Sequence, residues 1–178
     1  EGTQTHLVIG SRTVPYRDQR RYTVALVSML LGGGMSSRLF QRVREELALA
    51  YAVFTYQSFH VDTGMHGVYL ATTPEQLAQA YDAVCAEMEA VSAGGIPEAE
   101  LAMGKSQLKG QLTLSLESVS SRMYRAAAVE LYGEPFQPLD EVLAAIDRID
   151  QVAVAAVCRE FFSPDAQTVL SLGPGAAA

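Results

Sequence analysis

Two strand-like segments, residues 51–60 and 66–72, are separated by the triplet Asp62-Thr63-Gly64. So short a link can only join antiparallel neighbours, because a parallel connection needs a crossover of about a dozen residues or more. The triplet suits a turn: the Asp carboxylate can accept local backbone hydrogen bonds, and glycine can adopt positive φ. A hairpin is therefore built into the middle of the chain. Residues 5–13 are rich in Val, Ile and Thr and read as a further strand, and residues 167–172 as a closing one.

The remaining segments read as helices. Residues 18–31 place Tyr22, Val24, Ala25, Val27 and Leu30 in a largely helical pattern. Gly32-Gly33-Gly34 should end that helix, because glycine takes tightly turned backbone without steric cost. Ser36 or Ser37 should cap the next helix, which should run to about Leu47. Thr73-Pro74-Glu75-Gln76 reads as a helix start, with Thr as cap, Pro in the first position and Gln completing a capping box. The helix that follows carries Leu77, Tyr81, Val84, Met88 and Val91 at helical spacing and stops at Gly94-Gly95. A long helical stretch from Pro97, through Leu101, Leu108 and Leu112, is expected to break within residues 118–121 and resume to Tyr132, stopping at Gly133. Residues 138–146 and 150–162 read as shorter helices, and residues 173–178 as a tail. Strands flanking runs of helices imply an α+β fold with a largely antiparallel sheet and helices packed on one face.

At 178 residues the chain has the size of one domain, and no repeat or internal linker divides residues 1–178. With 49% hydrophobic and 19% charged residues it can bury a substantial core. A formal net charge of −7 disfavours a nucleic-acid partner, which demands a basic face. No uninterrupted apolar run approaches the ~20 residues of a membrane helix. The chain starts Glu1-Gly2-Thr3, which reads as a fragment of a longer polypeptide whose targeting information lies elsewhere. Cys85 and Cys158 are expected to be free thiols.

The run from Gly32 to Tyr51 carries the chemistry: Gly-Gly-Gly-Met-Ser-Ser-Arg-Leu-Phe-Gln-Arg-Val-Arg-Glu-Glu-Leu-Ala-Leu-Ala-Tyr. A glycine-rich turn opens a helix, and a tyrosine begins the next strand. Read from spacing alone, Arg44 is a solvated helix residue and Tyr51 a core or edge residue. The run closely resembles the central motif in the C-terminal half of insulinase/pitrilysin-type zinc metallopeptidases, a family that includes the mitochondrial processing peptidase. Leu49-Ala50-Tyr51 resembles the family's Leu-Gly/Ala-Tyr close, and Asp62-Thr63-Gly64 its hairpin turn. Residues 105–110 and 116–123 are similar to its later helices. Where the family often has a basic residue and a glycine, Glu45, Glu46, Leu47 and Ala48 stand here.

The resemblance implies one half of a peptidase site, facing a zinc-bearing domain supplied in the same chain or by a partner. It assigns Arg44 and Tyr51 to the catalytic side, where an arginine or a phenol can hold a substrate carbonyl or its developing oxyanion. It assigns Gly33, Gly34, Met35 and Ser36 to substrate binding, as a longer glycine-rich loop at the similar position serves the processing peptidase. Zinc is expected only on the partner domain, a peptide is the expected substrate, and the resemblance is compatible with a homo- or heterodimer. This chain alone should be inactive. The family also contains scaffold or core subunits without peptidase activity, and a freestanding peptide-binding module is a third reading.

Other chemistries fit the residues less well. The family's His-x-x-Glu-His zinc motif has no counterpart among His6, His60 and His66, although His60 and His66 flank the hairpin turn and could meet across it. Asp62-Thr63-Gly64 matches the aspartic-protease triplet, but a turn explains it fully. A P-loop would need Gly-Lys-Ser/Thr where Gly34-Met35-Ser36 stands.

Overall fold

A computed structural model describes residues 3–174, so most of the expected tail, residues 175–178, lies outside the described part. Four strands, β1 (Thr5–Thr13), β2 (Ala52–Phe59), β3 (Gly64–Thr72) and β4 (Thr168–Leu172), form one antiparallel sheet in the order β2-β3-β1-β4. The hairpin is tighter than its sequence suggests. Strand β3 already begins at Gly64, and the His60 amide donates to the Thr63 carbonyl at 2.7 Å. Gly64 does not have positive φ. Its role is close approach, since a Cβ there would run into the Val14 carbonyl and the Thr13 hydroxyl.

Side chains alternate across the pleat. Leu7, Ile9, Val53, Val68 and Leu70 are buried on the inner face, under helices α1 (Arg21–Gly32) and α6 (Gln151–Phe161). Helix α2 (Leu77–Gly94) packs on α6 through Val84, Met88 and Val91. Helices α3 (Glu98–Ser115) and α5 (Leu139–Asp147) form a second layer over α1. Helix α1 is thus enclosed on both sides, which is why Leu26, Met29 and Leu31 are buried although the helical pattern marked only one stripe. The α+β architecture, with helices on one face of an antiparallel sheet, is as the sequence implies.

The helix ends show where local chemistry was readable. Ser118 caps α4 (Val119–Tyr132) by accepting the Ser121 amide, and Gly133 ends it in the left-handed region at φ 65°. Asp150, expected as helix, is instead the cap of α6, accepting from the Ala153 amide. Gly95 ends α2 with φ 72°. Thr73 makes no capping bond to the backbone; Pro74–Gln76 is a 3₁₀ turn leading into α2. The inferred capping box is therefore absent from this helix start.

Candidate functional site

The segment after α1 differs from the expected α-helix. Residues Phe40–Glu46 form a π-helix, closed by the Leu47 amide donating to the Arg42 carbonyl at 3.1 Å. Such wide turns are rare and recur at functional sites. Neither Ser36 nor Ser37 caps it by accepting an amide: the Ser37 hydroxyl donates to the Gly34 carbonyl at 2.5 Å, and Gln41 Nε2 donates to the Met35 carbonyl at 2.6 Å. Arg38 pairs as a fork with Glu100 of α3, at 2.8 and 2.7 Å, and clamps the segment to the helical layer. Both partners are mostly shielded from solvent, so this pair is held more firmly than an exposed one.

The chain leaves the π-helix through Ala48, whose φ of 51° makes it the one non-glycine residue with positive φ among those described. Leu49 is then anchored. Its amide donates to the Val43 carbonyl and its carbonyl accepts from the Thr72 hydroxyl at 2.5 Å. The Tyr51 amide donates to the Ala71 carbonyl at 2.9 Å. Both ends of the segment are tied to buried structure, so Arg44 and Tyr51 project from rigid supports.

Arg44 and Tyr51 line one cleft of about 460 Å³, together with Glu45, Ala48, Leu49, Ala50 and Gln76. Tyr51 is 61% exposed. The Arg44 guanidinium lies over the Phe40 ring, 4.8 Å from its centroid, and its nearest carboxylate contact is a loose one to Glu45 at 4.0 Å. The ring restrains the arginine while leaving N–H donors for another acceptor. Phe40 also lines a neighbouring cleft of about 320 Å³ with Gly32, Gly33, Gly34, Met35 and the β2 residues Val53 to Thr55. Ser36 is exposed and stands outside both sets of lining residues. The glycines here act by close packing, not by unusual φ. A Cβ on Gly32 would lie 2.8 Å from the Thr55 amide nitrogen, and one on Gly33 2.7 Å from Met29 Cα, whereas Gly34 has open space.

The histidines do not assemble. His60 and His66 do not meet across the hairpin, because His66 is in register with Gln57 and Ser11. His60 is exposed beside Ser58, and His6 Nδ1 contacts the Tyr69 hydroxyl at 2.8 Å. His66 is fully buried against Phe162, with both ring nitrogens lacking a hydrogen-bond partner, and burial lowers its pKa to about 4. No three His, Cys, Asp or Glu side chains converge among the described residues.

Residues 1–108 match the family described as the peptidase M16 inactive domain. The chain belongs to that family. The M16 inactive domain here is 36% identical over 165 residues to the uncharacterized zinc protease YmxG of Bacillus subtilis, covering 93% of this chain and 40% of that protein. It thus spans about two fifths of this relative's length. Among solved structures it resembles the peptidase M16 inactive domain from Pseudomonas fluorescens, with a TM-score of 0.86 at 24% identity over 97% of this chain and 42% of the other. It also resembles a chain of complex III2 from Candida albicans, with a TM-score of 0.85 at 18% identity over 97% of this chain and 43% of the other. These two likenesses establish the fold. No helix among the described residues of this M16 domain is long and apolar enough to cross a membrane.

Sequence reasoning singled out Arg44 and Tyr51 but missed three features of the segment that carries them: the π-helix, the left-handed Ala48 and the Arg38–Glu100 fork. The only prior signal for the second was an alanine where the family often has glycine.

Proposed function

We propose that this M16 inactive domain is the zinc-free half of a zinc-dependent metalloendopeptidase, with Arg44 and Tyr51 holding the substrate backbone opposite a zinc-bearing domain in the same chain or a partner. The observation that carries this reading is the shared cleft, where an exposed phenol and an arginine with unused donors sit on rigid supports. Either group can donate to a scissile carbonyl, and both bonds strengthen as negative charge develops on that oxygen. The glycine-lined cleft beside it, which Met35 and Phe54 also line, would take a flanking substrate side chain. Zinc belongs to the facing domain in this reading.

The outer sheet face supports a domain partner. Phe54, Tyr69, Val8 and Leu170 form a continuous row across all four strands, and Leu170 and Leu172 are 66% and 73% exposed. A neighbouring domain would cover such a surface.

The test is peptide hydrolysis by the assembled protein. Arg44→Ala and Tyr51→Phe should each lower turnover, Arg44→Ala by about 100-fold, as for loss of an oxyanion donor. The 178-residue chain alone should show none. Unchanged turnover in both variants would refute the assigned roles. The alternative is a non-catalytic subunit, a reading prompted by the occurrence of this fold in a chain of complex III2. It predicts no hydrolysis by the assembled protein at all.

A further inference from the structure

Away from the arginine–tyrosine cleft, none of the residues of α4 is buried, and the helix stands over a gap between itself, α1, α3 and α5. The gap is a cleft of about 340 Å³, within the ~300–1,000 Å³ range of small-molecule sites. Its walls are apolar, formed by Phe59, Leu108, Leu112, Leu116, Leu139 and Val142. At one end it joins a smaller polar annex, and Arg21 and Arg125 line both spaces.

These two arginines are held in place without a direct ion pair, although the charge of Arg21 is felt by Asp18, whose pKa it helps to lower. Arg21 lies between two phenol rings, its guanidinium 4.2 Å from the Tyr16 centroid and 4.7 Å from that of Tyr22. Its Nη2 donates to the Tyr22 hydroxyl at 2.8 Å and to Gln137 Oε1 at 3.2 Å. Arg125 donates from Nη2 to the Gln137 carbonyl. The ion pairs among the described residues use Arg20, Arg38, Arg42, Arg44 and Lys109. Neither Arg21 nor Arg125 has a carboxylate within 4.0 Å among those residues, and Glu134, which lines the annex, lies beyond that distance. In a chain of net charge −7, two guanidiniums without a direct ion pair converge on Gln137 at the polar end of an apolar cleft.

We infer that this cleft binds a small anionic amphiphile, an acyl chain of medium length ending in a carboxylate. The chain would lie against the leucines, and the carboxylate would accept from the unused N–H groups of Arg21 and Arg125. Charge complementarity selects this occupant over a neutral one, since burying an apolar tail alone would leave the two cations unpaired.

The experiment is calorimetric titration of the full chain with decanoate, held below its micelle concentration, beside decanol and two variants. Arg125→Gln removes one cation from a helix with no buried residue, so the fold is retained. Ala25→Leu fills the cleft wall while leaving both arginines. Decanoate should bind saturably with one-to-one stoichiometry. Decanol and Arg125→Gln should each weaken binding about tenfold, the effect of losing a charge-assisted contact, and Ala25→Leu should abolish it with an unchanged circular-dichroism spectrum. Absence of saturable binding, equal affinity for decanol, or insensitivity to either variant would overturn the inference.

Discussion

Lowering the pH should destabilise this protein through one residue, His66. Its ring is fully buried, tilted against Phe162 with ring centroids 4.2 Å apart, and neither nitrogen has a hydrogen-bond partner. Burial alone lowers its pKa from 6.5 to about 4. The unfolded chain therefore takes up the proton near pH 6.5, and the folded chain only near pH 4. Between those values the unfolded state binds more protons, so stability is full above pH 6.5 and falls as pH drops toward 4. The gap corresponds to about 3 kcal/mol once complete. About 2 kcal/mol of this should be gone at roughly pH 5 compared with roughly pH 7.5. With a urea slope of about 2 kcal/mol/M, the unfolding midpoint should fall by about 1 M. The assay is urea denaturation followed by far-ultraviolet circular dichroism at both pH values, with wild type and His66→Leu side by side. Carboxylates that titrate in the same range cancel in the comparison. The variant should lose about 2 kcal/mol less than wild type on acidification. It should be no less stable at neutral pH, because leucine removes two unpartnered buried nitrogens. Equal pH slopes in the two proteins would show that His66 is hydrated or hydrogen-bonded in solution and would refute the argument.

Other outcomes follow from single positions. Ala48→Gly should raise stability by about 1 kcal/mol, read as a higher melting temperature, because glycine relieves the left-handed strain at φ 51°. Gly32→Ala should cost about 2 kcal/mol by forcing a Cβ against Thr55, whereas Gly34→Ala, facing open space, should change the urea midpoint little. In a thiol-reagent assay of the native protein, Cys85 should react before Cys158. Burial pushes the Cys158 thiol up to about 12 and leaves it no exposed surface, while Cys85 is only partly covered; equal rates would contradict the packing of α6.

How much of this was legible beforehand depended on the range of the interaction. The strand β1, the hairpin and the helix stops at Gly95 and Gly133 were readable because alternation, capping and left-handed glycine are properties of a few adjacent residues. The glycines at 32 and 64 were recognised as breaks, but for the wrong reason. They are glycine because Thr55 and Val14 approach them, and those contacts come from elsewhere in the chain. Helix α1 looked amphipathic and is enclosed, because a second helical layer covers the side that a single-helix pattern assigns to solvent. The pairing of the apparent histidine neighbours failed for the same reason. Register and the inward pleat send His66 into the core while His60 stays outside.

Taken by itself, the sequence determined which segments are strands and which are helical, the antiparallel hairpin, and the run from Gly32 to Tyr51 that marks the family, since each rests on local spacing and side-chain chemistry. Only the tertiary structure decided that Arg44 and Tyr51 share a cleft, that a π-helix carries the arginine, and that Arg21 and Arg125 meet beside an apolar gap under α4. Arg21 and Arg125 are more than a hundred residues apart in the chain, and no local rule relates them; they converge because both donate to Gln137, in the link between α4 and α5.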